Sequence, residues 1–274
     1  MASLRIALYQ GPGGIPAPGE SLAAFARAAG RAAAAGARLL VTPELSLTGY
    51  ALGDAVAAAA EPADGPSAEA VGKIAAEHGL AVHYGYPERD GDAVYNAVRL
   101  VAPDGTPLAG YRKTHLFGAY EKACFRPGPV ADAVVQAEID GVRIGLLTCY
   151  DVEFPEPVRA HALAGSELLL VPTALMRPYE IVPRSVVPVR AWENQIYIAY
   201  ANRHGVEGDF TFAGMSCLAA PDGTVRARAG SGEDLIVADV DTAFLAASRA
   251  ENTYLADRRP ELYTSLSPQG EPRR

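Results

Sequence analysis

Short apolar runs recur along the chain, and their spacing predicts buried β-strands. Near-continuous apolar runs of about four to eight residues are typical of strands that are buried on both faces. Alanine-rich or mixed segments between the runs predict helices, and Gly36 marks the end of the first one. The predicted strands lie at 4–10, 37–42, 80–86, 142–148, 168–171, 196–201 and 234–240. The predicted helices lie at 20–35, 66–78, 155–164 and 185–194.

The alternation of strands and helices predicts an α/β fold. Residues 94–113 are predicted to form a hairpin around the sequence Ala-Pro-Asp-Gly at 102–105, and the same four residues recur at 220–223. This repetition indicates two similar halves that form two sheets. No linker or shift in composition divides the chain, so we expect one domain over residues 1–264. Proline, glycine and charged residues predict a loose C-terminal tail at 265–274.

Three reactive side chains, Glu44, Lys113 and Cys149, each follow a predicted strand. A lone cysteine is more often a packed structural residue, but strand ends that share a sheet meet in one pocket. A cysteine nucleophile needs a base and a nearby positive charge. Glu44 is placed to take the thiol proton, and Lys113 to stabilise thiolate and oxyanion. The backbone N–H groups of Tyr150 and Asp151 are further candidates for holding an oxyanion.

The other histidine and cysteine residues leave alternatives open. His115 lies two residues after Lys113, so the two share a face if the segment is a strand. His115 either pairs with Cys149 in a papain-like arrangement or forms structural hydrogen bonds. Cys124 and Cys217 are interpreted as packed thiols.

Charge and composition exclude several classes of protein. The net charge of −8 and the absence of a basic tract argue against a nucleic-acid surface. No segment is long and apolar enough to span a membrane, and the N-terminus lacks a signal-peptide pattern. Three cysteines give no disulfide framework, and we expect a cytoplasmic protein. The five histidines lack metal-ligand spacing and no Cys-x-x-Cys occurs, so no metal or other cofactor is expected.

Three motifs in the observed order resemble those of the nitrilase, or carbon–nitrogen hydrolase, superfamily. They are Pro-Glu44-Leu, Tyr-Arg-Lys113-Thr-His-Leu-Phe and Leu-Thr-Cys149-Tyr-Asp-Val-Glu-Phe-Pro. The resemblance extends from about residue 4 to about residue 263. It implies a four-layer αββα sandwich of two mixed sheets flanked by helices, with a Glu–Lys–Cys triad that hydrolyses amides through a thioester. Glu121 matches a second active-site glutamate of the family.

The stretches at 84–88, 95–100, 111–118 and 149–156 resemble the 5-aminopentanamidase and R-stereoselective amidase branch. That branch implies short primary amides as substrates, including ω-amino amides. The expected oxyanion and substrate contacts are Tyr150, Glu153, Glu156 and Thr173. The acidic residues after Cys149 would suit a cationic substrate tail, although they could equally cap the following helix.

Two other enzyme activities remain open, an N-carbamoyl-amine or β-ureido hydrolase and a nitrilase. A catalytically silent binding protein with the nitrilase fold is the alternative from a different class. The resemblance also implies a homodimer or a higher homo-oligomer, with the helices near 155–164 and 185–194 at the interface. A small-molecule amide is the only other expected partner.

Overall fold

The computed structural model describes residues 2–11, 13–14 and 19–263, and the expected loose tail at 265–274 lies outside them. The strands are β1 Ser3–Gln10, β2 Leu39–Val41, β3 Ala81–Asp90, β4 Ala93–Val101, β5 Pro107–Arg112, β6 Val135–Ile139, β7 Val142–Leu146, β8 Leu168–Thr173, β9 Tyr197–Asn202, β10 His204–Glu207, β11 Phe210–Ala213, β12 Cys217–Ala219, β13 Val225–Arg228 and β14 Asp234–Asp241. The helices are α1 Glu20–Ala34, α2 Val56–Ala59, α3 Pro66–His78, α4 Gly118–Cys124, α5 Pro155–Leu163, α6 Val187–Asn194 and α7 Thr242–Glu251.

Within the described residues, the strands form two six-stranded sheets and a separate hairpin, β10–β11. The first sheet has the order β14-β1-β2-β3-β4-β5, and the second has the order β6-β7-β8-β9-β12-β13. In each sheet the second, third and fourth strands run parallel to one another, and all the remaining neighbouring pairs are antiparallel. The shared order and directions confirm the two similar halves that the repeated Ala-Pro-Asp-Gly sequence indicated.

The two sheets pack face to face, with helices on their outer faces. The largest core cluster joins Leu8 and Val41 of the first sheet to Ile144 and Leu170 of the second. On one side α1 packs its alanines onto the first sheet, and on the other α5 and α6 cover the second sheet. The fold is therefore the expected αββα sandwich, built from two mixed sheets between helical layers.

Local sequence explains the bounds of the helices that could be predicted. The buried stripe of α1 consists of small residues and one Phe25, which lets the helix lie close to the sheet. Helix α3 has Pro66 in its first turn and stops at Gly79, which adopts the left-handed conformation. The prediction of 66–78 for this helix is confirmed at both ends. The last helix, α7, was not predicted, although Asp241 caps its first turn by accepting hydrogen bonds from two backbone N–H groups.

Candidate active site

The ends of three strands bring the predicted reactive side chains together. Glu44 follows β2, Lys113 follows β5, and Cys149 follows β7. Glu121 joins them from α4, a helix that the strand pattern did not predict. The Lys113 Nζ lies 2.8 Å from Glu44 Oε1 and 2.7 Å from Glu121 Oε1. All four side chains are buried, and these four residues are called the candidate site below.

The two carboxylates of the candidate site differ in their hydrogen bonds. Glu44 Oε1 accepts from Lys113 and from Asn96 Nδ2 at 2.6 Å, whereas Glu44 Oε2 has no partner among the described residues. Glu121 Oε1 accepts from Lys113 and from the Tyr50 hydroxyl at 2.8 Å, and its Oε2 accepts from a backbone N–H. Both oxygens of Glu121 thus have hydrogen-bond donors, while Glu44 retains an oxygen without a partner that can accept a proton.

Cys149 begins a short 3₁₀ turn that spans Cys149–Glu153. Its φ of 48° is in the left-handed region, which non-glycine residues adopt only where the surrounding structure enforces it. Asp151 holds the turn, because its carboxylate accepts from the Thr148 backbone N–H at 3.0 Å. The same carboxylate accepts from the Tyr111 hydroxyl and from the His115 backbone N–H, both at 2.9 Å. Asp151 therefore caps the cysteine turn and ties it to the segment that carries the lysine.

Burial and neighbouring charges determine the protonation of the cysteine and the lysine. Burial, together with Glu44 and Glu121, raises the pKa of the Cys149 thiol well above its usual range, and Lys113 offsets this only in part. Burial disfavours the Lys113 ammonium, but the carboxylates of Glu44 and Glu121 hold the pKa of Lys113 well above its usual range. The resting site therefore contains a neutral thiol beside a charged ammonium, so attack by sulfur requires a base.

Two of the expected backbone and hydroxyl contacts are occupied elsewhere. The Asp151 backbone N–H donates to the Thr148 carbonyl, so it is not free to hold an oxyanion. Thr173 is completely buried, and its hydroxyl donates to the Val171 carbonyl at 3.2 Å. The Thr173 side chain is thus hydrogen-bonded within the core, which argues against the expected contact with substrate.

The acidic residues after the cysteine separate into different environments. Glu156 is exposed in the first turn of α5, so it does not join the buried pocket. Glu153 is half-buried, and its carboxylate accepts no hydrogen bond from a residue in the described part of the chain. Burial raises the pKa of Glu153, and Lys113 and Arg190 oppose this increase. Of the two carboxylates proposed to meet a substrate ammonium, only Glu153 lies within electrostatic reach of the candidate site.

The papain-like alternative for His115 is not supported by its contacts. Its Nδ1 lies 2.8 Å from Asp151 Oδ1, and its ring stacks on Phe154 with centroids 4.3 Å apart.

Tyr150 packs edge-on against Phe154 and Phe117, with centroids 4.9 and 5.2 Å away. These aromatic side chains form a wall beside the cysteine turn. The expected Tyr150 backbone N–H remains at the start of that turn, where helical N–H groups lack an intrahelical partner.

Sequence reasoning missed several polar residues that support the site. Asn96 lies within the predicted hairpin, and Tyr50 lies in the loop after β2. Neither has a motif that announces a role, because each meets the site only through the pairing of strands.

Among the described residues, no group of three histidine, cysteine, aspartate or glutamate side chains could hold a metal ion. No helix in the same residues is long and apolar enough to cross a membrane.

This chain belongs to the carbon–nitrogen hydrolase family, whose model matches residues 5–250. It is 48% identical over 268 residues to the hydrolase in the pqqF 5′ region of Pseudomonas protegens, covering 97% of this chain and 92% of the relative. It is 39% identical over 222 residues to an (R)-stereoselective amidase from Pseudomonas sp, covering 81% of this chain and 79% of the relative.

Solved structures agree with the sequence relatives. A double mutant of the amidase from Nesterenkonia sp. AN1, in complex with acrylamide, superposes with a TM-score of 0.86 at 36% identity. The match covers 96% of this chain and 97% of the amidase. The resemblance to the nitrilase superfamily is confirmed, and the protein is a hydrolase of carbon–nitrogen bonds other than peptide bonds.

Proposed function

We propose that this hydrolase cleaves a short aliphatic primary amide to a carboxylate and ammonia through a thioester on Cys149. The observation that carries the proposal is the unpartnered Oε2 of Glu44 in a buried cluster with the Lys113 ammonium and the Cys149 thiol. A carboxylate oxygen without a donor among the described residues can receive a proton. A fully buried ammonium can stabilise a developing negative charge far more strongly than it could in water.

In acylation, Glu44 takes the thiol proton as the Cys149 sulfur bonds to the amide carbon. The carbonyl electrons move onto oxygen, where the Lys113 ammonium and the Tyr150 backbone N–H hold the negative charge. Each such donor is typically worth about 3–4 kcal/mol in a site that excludes water. When the carbonyl forms again, the carbon–nitrogen bond breaks. Glu44 gives its proton to the leaving nitrogen, and ammonia departs from the thioester.

In deacylation, a water molecule replaces the ammonia. Glu44 takes one proton from the water as its oxygen bonds to the thioester carbon, and the same donors hold the second oxyanion. Collapse of this intermediate breaks the carbon–sulfur bond and releases the carboxylic acid. The departing sulfur takes the proton from Glu44, so the thiol and the carboxylate return to their resting states. One base therefore serves both half-reactions.

Glu121 acts differently from Glu44 in this proposal. Its oxygens already accept from Lys113, from the Tyr50 hydroxyl and from the Phe117 backbone N–H. It has no free oxygen directed at the reaction, and it fixes the ammonium at the place where the oxyanion develops. Glu121 is therefore a positioning residue.

Glu153 supports a narrower substrate class, the ω-amino amides such as 5-aminopentanamide. Its half-buried carboxylate accepts no hydrogen bond in the described chain, and burial raises its pKa while Lys113 and Arg190 lower it. A substrate ammonium would give this carboxylate a partner. An uncharged analogue would leave it desolvated and unpaired, which is the basis for discrimination.

The test is ammonia release from pentanamide, 5-aminopentanamide, pentanenitrile and an N-carbamoyl alkylamine. We expect turnover of the two amides and none in Cys149→Ala, whose fold should remain intact. Turnover of only the nitrile or only the N-carbamoyl compound would replace the amidase proposal with that activity. No turnover of any of these compounds, together with a Cys149 that iodoacetamide does not label, would favour a silent binding protein.

The same panel tests the role of Glu153. We expect wild type to favour 5-aminopentanamide over pentanamide and Glu153→Gln to lose that preference while it still hydrolyses pentanamide. Glu156→Gln is the matched control, because Glu156 is exposed on the following helix. Equal turnover of both amides by wild type would refute the cationic substrate and leave the short aliphatic amide.

We also propose that the chain forms one domain and assembles as a homodimer or a larger homo-oligomer. Large apolar side chains lie exposed on the outer helical layer, at Leu163, Val189 and Trp192 of α5 and α6. A two-fold interface would bury this surface on both partners. Light scattering that gives a mass near 28.7 kDa at all concentrations would contradict the oligomer.

The free thiols at Cys124, Cys149 and Cys217 fit a reducing cytoplasm.

A further inference from the structure

An arginine–glutamate pair without a role in the mechanism lies beside the candidate site. Arg203 follows β9, Glu207 ends β10, and Arg203 Nη1 donates to Glu207 Oε1 at 2.6 Å. Arg203 is 3% exposed and Glu207 is 1% exposed. Burying two charges costs free energy, which their attraction offsets only when further hydrogen bonds satisfy both groups. The targets of those further hydrogen bonds indicate what the pair does.

The remaining donors of Arg203 hold the turn that carries the proposed base. Its Nε donates to the backbone carbonyl of Glu44 at 3.0 Å, and its Nη2 donates to the carbonyl of Leu45 at 2.6 Å. Leu45 has a φ of 48°, a left-handed conformation that is strained for a branched side chain. A β-carbon at Gly85 would lie only 2.5 Å from the Leu45 nitrogen, so the turn is also packed tightly against β3. The planar guanidinium thus fixes two successive carbonyls of a strained turn.

The other oxygen of Glu207 leads to the second carboxylate. Oε2 accepts from the backbone N–H of Tyr50 at 2.6 Å and from that of Ala51 at 3.0 Å. The Tyr50 hydroxyl donates to Glu121, which in turn holds Lys113. One buried ion pair is therefore connected to both carboxylates of the candidate site, through the backbone at Glu44 and through Tyr50 at Glu121.

We propose that the Arg203–Glu207 pair positions the base and the lysine-holding carboxylate for catalysis. The proposal rests on the role of Glu44 as the base. Arg203 and Glu207 touch neither substrate nor the reacting atoms and act through Glu44 and Tyr50. A displacement of about 1 Å in a catalytic group can lower the rate by about 100-fold. Loss of the pair should therefore lower kcat while KM changes little.

The test compares Arg203→Lys with Arg249→Lys. Arg249 is a matched control, because it also donates Nε and Nη2 to two backbone carbonyls, those of Gln195 and Ser166, each at 3.0 Å. Those carbonyls precede β9 and β8, whereas Arg203 follows β9, so the control lies at the other end of the strands. Lysine keeps the charge in both variants but cannot span two carbonyls as a rigid fork. Circular dichroism and Tm are measured for each variant, so that kcat is compared only between folded proteins.

We expect Arg203→Lys to lose about 100-fold in kcat, with KM nearly unchanged, and Arg249→Lys to retain wild-type kcat. Glu207→Gln, which exchanges an acceptor oxygen for a donor, should lower kcat in the same way and serves if Arg203→Lys does not fold. A wild-type kcat in the variant that folds, or an equal decrease in Arg249→Lys, would overturn the proposal.

A further comparison separates this proposal from the proposed function. If Glu44→Gln is inactive while Arg203→Lys is fully active, only the positioning role is wrong. If Glu44→Gln itself is fully active, the role of Glu44 as base and the positioning role are both wrong. In the Glu44→Gln background, Arg203→Lys should cost less than in wild type, because the base that it positions is already absent.

Discussion

The two sheets share strand order and directions, but their equivalent strand ends carry different chemistry. Strand β7 takes the place of β1 in the second sheet, and the residue pairing along these strands makes Cys149 the counterpart of Gly11. In the same way β8 takes the place of β2, and Thr173 is the counterpart of Glu44. A proline precedes both Glu44 and Thr173. The proposed nucleophile thus comes from the second half and the proposed base from the first. The counterpart of each lacks a group that could take over its role.

The turns at the opposite ends of the strands have remained alike. In the turns at 102–105 and 220–223, the aspartate accepts from the hydroxyl of a following threonine at 2.7 Å in both halves. Counted from these turns, the buried Lys113 corresponds to Ser231, which is exposed. At the strand ends that carry these turns, the two sheets share the same local geometry. At the opposite strand ends the residues of the two halves differ, and the halves together supply one asymmetric site.

The largest effect should come from exchanging the base at one of two equivalent strand ends. Glu44→Gln keeps the size of the side chain but removes the proton acceptor, and we expect kcat to fall by about 1,000- to 10,000-fold. Thr173→Val is the control at the equivalent position, and kcat should remain near wild type because the Thr173 hydroxyl bonds within the core. Ammonia release gives both values. A comparable decrease in Thr173→Val would mean that the second half also supplies a reactive group.

A smaller decrease should follow removal of the lysine. Lys113→Ala should lower kcat by about 100- to 1,000-fold with little effect on KM, because the ammonium acts on the developing oxyanion. Lys113→Arg should not restore activity, since a planar fork cannot replace a compact charge between two carboxylates. Ser231→Ala, at the counterpart, should be silent. Steady-state kinetics in which Lys113→Ala changes only KM would reduce the lysine to a substrate-binding residue.

The sequence predicted the parts of the site that depend on local pattern. Apolar runs that stop near Glu44 and at Cys149, together with the predicted hairpin that ends at Lys113, were sufficient to place three side chains at strand ends. Glu121 was found only through the family resemblance, since its short helix α4 has no periodicity of its own.

Features that depend on strand pairing could not be predicted. Asn96 and Arg203 meet Glu44 from residues 52 and 159 positions away in the chain. Their partners are defined only by the ladders and by the packing of one sheet on the other. The hydrogen bond that the Thr173 hydroxyl makes within the core could not be predicted, because the direction of a side chain at a strand end depends on where the strand leaves its ladder. Glu156 was close to Cys149 in sequence, but the helix that it begins carries it into solvent.

The smallest effect should come from substitutions in the two turns, whose local geometry is the same in both halves. Thr106→Ala and Thr224→Ala each remove a hydroxyl that donates to the aspartate of its turn at the same distance. We expect small and similar decreases in Tm from thermal unfolding, with kcat unchanged in both variants. A large decrease in one variant alone would show that the halves do not carry equivalent turns.

In the proposed mechanism, the two halves form one site at which an acyl group is carried on Cys149. The direct test is product partitioning with added hydroxylamine, using pentanamide and the p-nitrophenyl ester of pentanoic acid. After the products formed without enzyme are subtracted, two substrates that form the same thioester must give the same ratio of hydroxamate to carboxylate at each hydroxylamine concentration. Cys149→Ala must form neither product from the amide. A ratio that depends on the leaving group would contradict the shared thioester and, with it, the covalent mechanism.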